Sequence, residues 1–264
     1  MLSATRGDRT SALAQLGRSD RLMRALLTGS HTLTGQVIAS SMARRQWQTL
    51  ASVAVAQPQW LVDLLPMVAA LDARALDVRR WVAVEAAYQH EAIADVRRGC
   101  QQHGDGAPWG LSWLNRMMCR YDIGMQPNIT GAAIDQHWLG VIEGIGSDPA
   151  AWLRRQEQAA SDDGLHWRNT VGRLLLSVAA PASTSYVARM VDVELHRQAL
   201  LAAWAARELP AEDRARWLAA RALPTLAQGR LSLSADGRWL LAQPWSPDAA
   251  KQARLRIRIE LPAV

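Results

Sequence analysis

The chain is 264 residues long, 49% hydrophobic and 20% charged, with a formal net charge of +6. That length can bury a substantial core as one large domain or two small ones without help from disulfides or metals. The apolar content excludes disorder, and an ordinary seventeen Gly and eleven Pro exclude collagen. No apolar run reaches the length of a membrane-spanning helix, and the opening residues, MLSATRGDRT, lack an apolar secretion core, so a soluble chain is expected.

From Arg9 to Ala222 the pattern is helical, interrupted by short Pro or Gly signals rather than by long linkers. Ser19 and Asp20 can cap a helix through Leu27. A longer pattern from about His31 to Val55 places Leu33, Val37, Met42, Trp47, Leu50 and Ala54 inward. Pro58 suits a first helical position, Pro66 should kink or split the helix around it, and Asp72 opens another. The next pattern, from about Ala75 to Gln101, puts Trp81, Val84, Tyr88, Ala92 and Val96 on one stripe. A loop rich in Gly and Trp, a short helix around Trp113 to Tyr121 and the turn DIGMQPN follow, and then a helix from Thr130 to Glu143 that ends at GIG. Asp148 and Pro149 form the cleanest helix start in the chain, an N-cap acid before a proline. Val171, Leu174, Leu175 and Val178 mark a buried face that Pro181 interrupts, with Ser183 or Thr184 as a new cap. Val187, Val191, Leu195, Ala199 and Ala202 continue the pattern, and Pro210 opens the last helix, which ends near Ala222.

After Pro224 the pattern changes. RLSLSADGRWLLA holds two short extended runs around Asp236-Gly237, a dipeptide that favours a two-residue type I′ turn. Leu255, Ile257, Ile259 and Leu261 then alternate with Arg254, Arg256, Arg258 and Glu260, as in a strand with one buried and one charged face. The expected fold is mainly α: a multi-helix, bundle-like body over residues 1–222. A small C-terminal antiparallel β-hairpin or three-stranded sheet over 223–264 packs on those helices, within one domain over 1–264, because some forty residues bury too little to fold by themselves.

A sequence pI near 10.3 would favour polyanions or anionic surfaces. The arginines, however, come as scattered pairs inside helical patterns, such as Arg44 and Arg45, Arg79 and Arg80, or Arg97 and Arg98, with acids nearby. No basic stripe interleaved with stacking aromatics runs along the chain, so nucleic-acid binding is disfavoured. Twelve Trp, three Tyr and no Phe, with Lys251 the only lysine, point to GC-rich coding and a bacterial source.

Catalytic motifs are sparse. His90-Glu91 begins like a zincin, but Ala94 stands where the second imidazole would be, so that chemistry is excluded and no metal or cofactor is expected. Other His and acid neighbours, such as Asp135 with His137 and Glu194 with His196, lie two apart and face different sides of a helix. There is no GxSxG, P-loop or GxGxxG, and no catalytic residue is assigned. Cys100 and Cys119 flank the loop HGDGAPWG and read either as one disulfide or as two free thiols. Trp47, Trp81, Trp152, Trp204 and Trp217 occur one per helix, as a core without Phe requires. Trp109 and Trp113 fit no stripe and are candidate interface anchors, against core packing as the plainer reading.

Two segments, QPNITG at 126–131 and RNTVGRLLLSVAAP at 168–181, carry Asn128 with Thr130 and Asn169 with Gly172 and Arg173. They resemble the proline-asparagine-x-threonine turn and the asparagine-x-x-glycine-arginine-leucine-leucine stretch of a group of uncharacterised bacterial envelope-associated helical proteins. HTLTGQVIASSMARRQWQTL is similar to an earlier helix of that group. The resemblance implies a periplasmic or envelope location, with the cytoplasm as the alternative, and an N-terminal anchor or signal upstream if the chain is trimmed.

Two functions follow as expectations. The first is a non-enzymatic interaction protein of the envelope, of the immunity, inhibitor or secretion-adaptor type. It would bind another protein through helical faces and a basic edge strand that offer surfaces rather than a ready-made pocket. The second is a helical enzyme or small-ligand-binding protein whose site gathers His90, Glu91, Asn128, Asn169 and Arg173 from several helices. Attachment to anionic lipid through the arginines is a third, salt-sensitive reading.

Overall fold

A computed structural model describes residues 8–77, 79–102, 127–158, 170–245 and 255–259. The protein is mainly helical, with a small three-stranded antiparallel sheet at its C-terminal end. Its contacts divide it into two compact units: unit 1 comprises Met1–Asp77 with Ser185–Val264, and unit 2 comprises Val78–Thr184.

Unit 1 opens with α1 (Arg9–Gly29), capped by Asp8, whose side chain accepts the Ser11 N–H. Ser19 and Asp20 therefore cap nothing. They lie mid-helix on the face Ala12, Leu16, Asp20, Met23 and Leu27, which is inward at four- and three-residue spacings. Asp20 is tolerated there because Arg24, one turn on, donates to it at 2.9 Å. Thr32 caps α2 (Leu33–Ala56). The second half of the expected stripe, Trp47, Leu50 and Ala54, is buried. In the first half the inward positions belong to Gln36, Ala39, Ser40 and Ala43. The buried amide N–H groups on this helix have carbonyl partners: Gln36 donates to the Leu27 and Ser30 carbonyls, and Gln46 to that of Leu16.

Pro58 starts a 3-10 turn, Pro58–Trp60, that leads into α3 (Leu61–Leu64). At Pro66 the chain tightens to the 3-10 segment Leu65–Val68, as a missing N–H demands. Asp72 caps a further 3-10 turn, Ala73–Leu76.

Unit 2 contains α4 (Arg79–Gln102), α5 (Pro127–Ser147) and α6 (Pro149–Gln158). On α4, Trp81, Val82 and Ile93 are buried, whereas Tyr88 is 63% exposed, so the inward face is turned from the expected stripe. Trp81 meets Trp138 of α5 edge-on with centroids 5.8 Å apart, and the Trp138 indole donates to Gln89 at 3.0 Å. These contacts fix which side of α4 is inward. The segment PNIT is the first turn of α5, not a separate turn, with Thr130 fully buried. Nor does GIG end that helix: a Cβ at Gly144 would run into the Trp152 ring, so this glycine serves the close approach of α6. Asp148 caps α6 as expected, accepting the Ala150 and Ala151 N–H groups at 2.9 and 3.1 Å.

Helix α7 (Thr170–Arg207) runs unbroken through Pro181, and the expected cap at Ser183 or Thr184 does not form. One proline deletes one donor, and Ala179, Ala180 and Ala182 around it are the best helix formers. The boundary between the two units falls within this helix. Its unit 1 portion is buried on nearly every side, from Val187 through Val191, Leu195 and Ala199 to Ala206. Pro210 precedes α8 (Ala211–Ala220).

The sheet has the order β1 (Leu231–Leu233), β2 (Trp239–Ala242), β3 (Leu255–Arg258), antiparallel throughout. Its hairpin loop is longer than a two-residue type I′ turn. Gly237 N–H bonds the Ser234 carbonyl, which centres the turn on Ala235 and Asp236, and Gly237 takes the positive φ of 66°. Ile257 and Ile259 are buried and Arg256 is exposed, in the alternation the sequence shows.

Candidate functional site

The described residues of unit 1 form a cavity of about 500 Å³ between α2, α7 and the sheet. Helix α2 supplies Arg44, Trp47 and Gln48, with Ala51, Ser52 and Val55 further along the same face. Helix α7 adds His196 and Leu200, and the sheet adds Trp239, Arg256, Ile257 and Arg258. The spacing Arg44, Trp47, Ala51, Val55 is one helical stripe, so the wall passes from a guanidinium to an apolar end along α2. The basic strand that was expected to offer only a surface thus lines a pocket, because α2 packs against β3.

The lining contains three arginines and no Asp or Glu. Among the described residues no carboxylate pairs with Arg44, Arg256 or Arg258, in contrast to Arg197, whose fork is held by Glu194 at 2.6 and 2.8 Å. The Arg258 guanidinium stands 5.8 Å from the Trp239 ring centroid. Two buried donors of the lining, the Trp47 indole N–H and Arg258 Nε, have no acceptor among the described residues. His196, 7% exposed, is held neutral: burial, and secondarily the Arg44 charge, push its pKa down to about 4. The site therefore presents donors and positive charge over an aromatic floor, a chemistry that receives oxygen anions.

The residues singled out in sequence are placed otherwise. His90 on α4 bonds Asp135 on α5 at 2.8 Å, and the His90 ring packs against Gly131, where a Cβ would stand 3.2 Å from its Cε1. Glu91 is turned to a different partner, Arg98, at 2.5 Å on the exposed face of α4. Asn128 is exposed in the first turn of α5. None of His90, Glu91 and Asn128 lines the cavity. Asn169, Trp109, Trp113 and Cys119 lie outside the described residues, as do the side chains of Arg173 and Cys100, although both belong to helices. Of the five tryptophans expected in the core, Trp47, Trp81, Trp152 and Trp204 are buried. Trp217 is half-buried under the Arg221 guanidinium, 4.8 Å from its ring centroid. Sequence reading missed Arg44 and His196 because their meeting with β3 crosses some two hundred and some sixty positions respectively. The only local signal was the alternating arginines of 254–258.

No protein-family model matches the chain, and comparison with curated proteins and with solved structures gives no match. No helix among the described residues is long and apolar enough to cross a membrane.

Proposed function

We propose that the chain is a non-enzymatic protein-interaction protein of the bacterial cell envelope, of the immunity, inhibitor or secretion-adaptor type, and that it grips an acidic part of its partner at the cavity of unit 1. The observation that carries this reading is the lining itself, in which Arg44, Arg256 and Arg258 converge with no carboxylate among them. The neutral imidazole of His196 supports binding over proton transfer, since a group with its pKa near 4 is poorly matched to acid–base work at neutral pH. The envelope setting, with the periplasm as compartment, rests on the resemblance of QPNITG and RNTVGRLLLSVAAP.

The test is affinity capture from an envelope extract with the tagged full-length chain and with its Arg44→Glu/Arg256→Glu variant, at low and moderate salt. One dominant partner near one-to-one stoichiometry, lost with the variant, is expected. No stoichiometric partner, or equal capture by both proteins, overturns the reading. The alternative occupant is a small organic anion, which the cavity volume of about 500 Å³ would admit.

A further inference from the structure

Resting on that reading, the form in which the partner binds follows from the register of β3. In an antiparallel pair, residues alternate between those whose backbone groups bond the neighbouring strand and those whose groups point the other way. The Ile259 N–H donates to the Arg238 carbonyl at 2.9 Å, and the register continues through Trp239 opposite Arg258 and Leu240 opposite Ile257. Positions 257 and 259 are therefore tied to β2. The backbone N–H and C=O of Arg256 and Arg258 point away from it, and β3 is the edge of the sheet among the described residues.

Arg256, Ile257 and Arg258, successive residues of that strand, all line the cavity. The groove between β3 and α2 thus offers backbone donors and acceptors that have no partner among the described residues, with the Arg256 and Arg258 side chains on one face of the strand and the apolar Ile257 on the other.

We propose that this groove receives an extended acidic segment of the partner protein as a fourth strand added to β3. Such strand addition takes affinity from the main chain and specificity from alternate side chains. The register dictates the pattern. Residues of the incoming strand opposite Arg256 and Arg258 share their face and are carboxylates, and the residue between them, on the Ile257 side, is apolar, so the recognised sequence alternates acid, apolar, acid. Arg44, rising from α2 into the same cavity, adds positive charge along the path.

The probe is an acetylated, amidated hexapeptide alternating glutamate and valine, titrated into the full-length chain by calorimetry. Two further forms carry backbone N-methyl groups on the glutamates only or on the valines only. Saturable binding is expected, abolished by one methylation set and tolerated with the other, because only every second N–H of an added strand faces its neighbour. Arg256→Glu, an exposed position that leaves the core untouched, is expected to weaken the peptide at least about tenfold. Equal binding of both methylated forms overturns the strand geometry, as does saturable binding of citrate with none of the peptide, which would make the cavity a small-anion site. Should affinity capture yield an arginine-dependent partner while no alternating peptide binds, the interaction reading stands and the added strand falls.

Discussion

In unit 1 several polar side chains that tie one segment to another are buried or partly buried, although the Arg9–Asp63 pair lies in solvent. Asp192 takes the Trp245 N–H at 2.6 Å, Arg197 reaches the Val68 carbonyl at 3.0 Å, and Arg24 gathers the carbonyls of Met67, Ala69 and Ala70. In unit 2 the described polar pairs His90–Asp135 and Arg98–Glu91 lie in solvent, and the interior is carried by Trp81, Trp138 and Trp152. The same residue types therefore do different work. A buried donor or acceptor that loses its partner carries its full desolvation penalty, whereas an exposed pair exchanges easily with water. Among the described residues, unit 1 adds buried polar tethers to its apolar core, and the interior of unit 2 rests more on ring packing.

The contrast can be broken most forcefully at Trp81. Its truncation, Trp81→Ala, removes a fully buried ring and its edge-on partner contact, and should cost about 3–5 kcal/mol in denaturant unfolding. A loss under about 1 kcal/mol would mean that packing does not carry unit 2.

His196 gives the next effect. Its folded pKa lies below its unfolded value, so between pH 6.5 and about 4 the unfolded chain binds the extra proton. Stability is then present above that window and is lost as pH falls through it, by on the order of 3 kcal/mol. His196→Gln should flatten this part of the pH–stability curve. An unchanged slope in the variant would locate the dependence elsewhere.

Asp192→Ala, which removes the acceptor of the buried Trp245 N–H, should cost about 2–3 kcal/mol and loosen the segment after β2, read as faster amide exchange through 243–245. The smallest change belongs to the solvent pair: Asp135→Asn should shift stability by at most about 0.5 kcal/mol. A cost near that of Asp192→Ala would erase the distinction between the two units.

How much of this was legible depended on distance along the chain. Caps at Asp148 and the proline effects at Pro58 and Pro66 were readable because each acts within a turn of itself. So was β3, whose alternation of Ile and Arg is a local pattern. The misreadings share a cause. Asp20 looked like a cap and is an inward helix residue that accepts from Arg24. Pro181 looked like a break and lies within a continuous helix, and of the expected stripe on α4 Trp81 is buried against Trp138 whereas Tyr88 and Ala92 face solvent. The His90–Asp135 pair is hidden in the sequence for the same reason, since forty-five positions separate its members.

Composition, periodicity and capping chemistry by themselves determined that the chain is helical with a small β end, because these depend on forces acting over a few residues. Which face of each helix turns inward, and that Arg44, His196, Arg256 and Arg258 share one cavity, was decided only by tertiary structure. Burial and unpaired charge belong to a neighbourhood assembled from distant parts of the chain, and no local pattern encodes which strand edge will lie beside which helix.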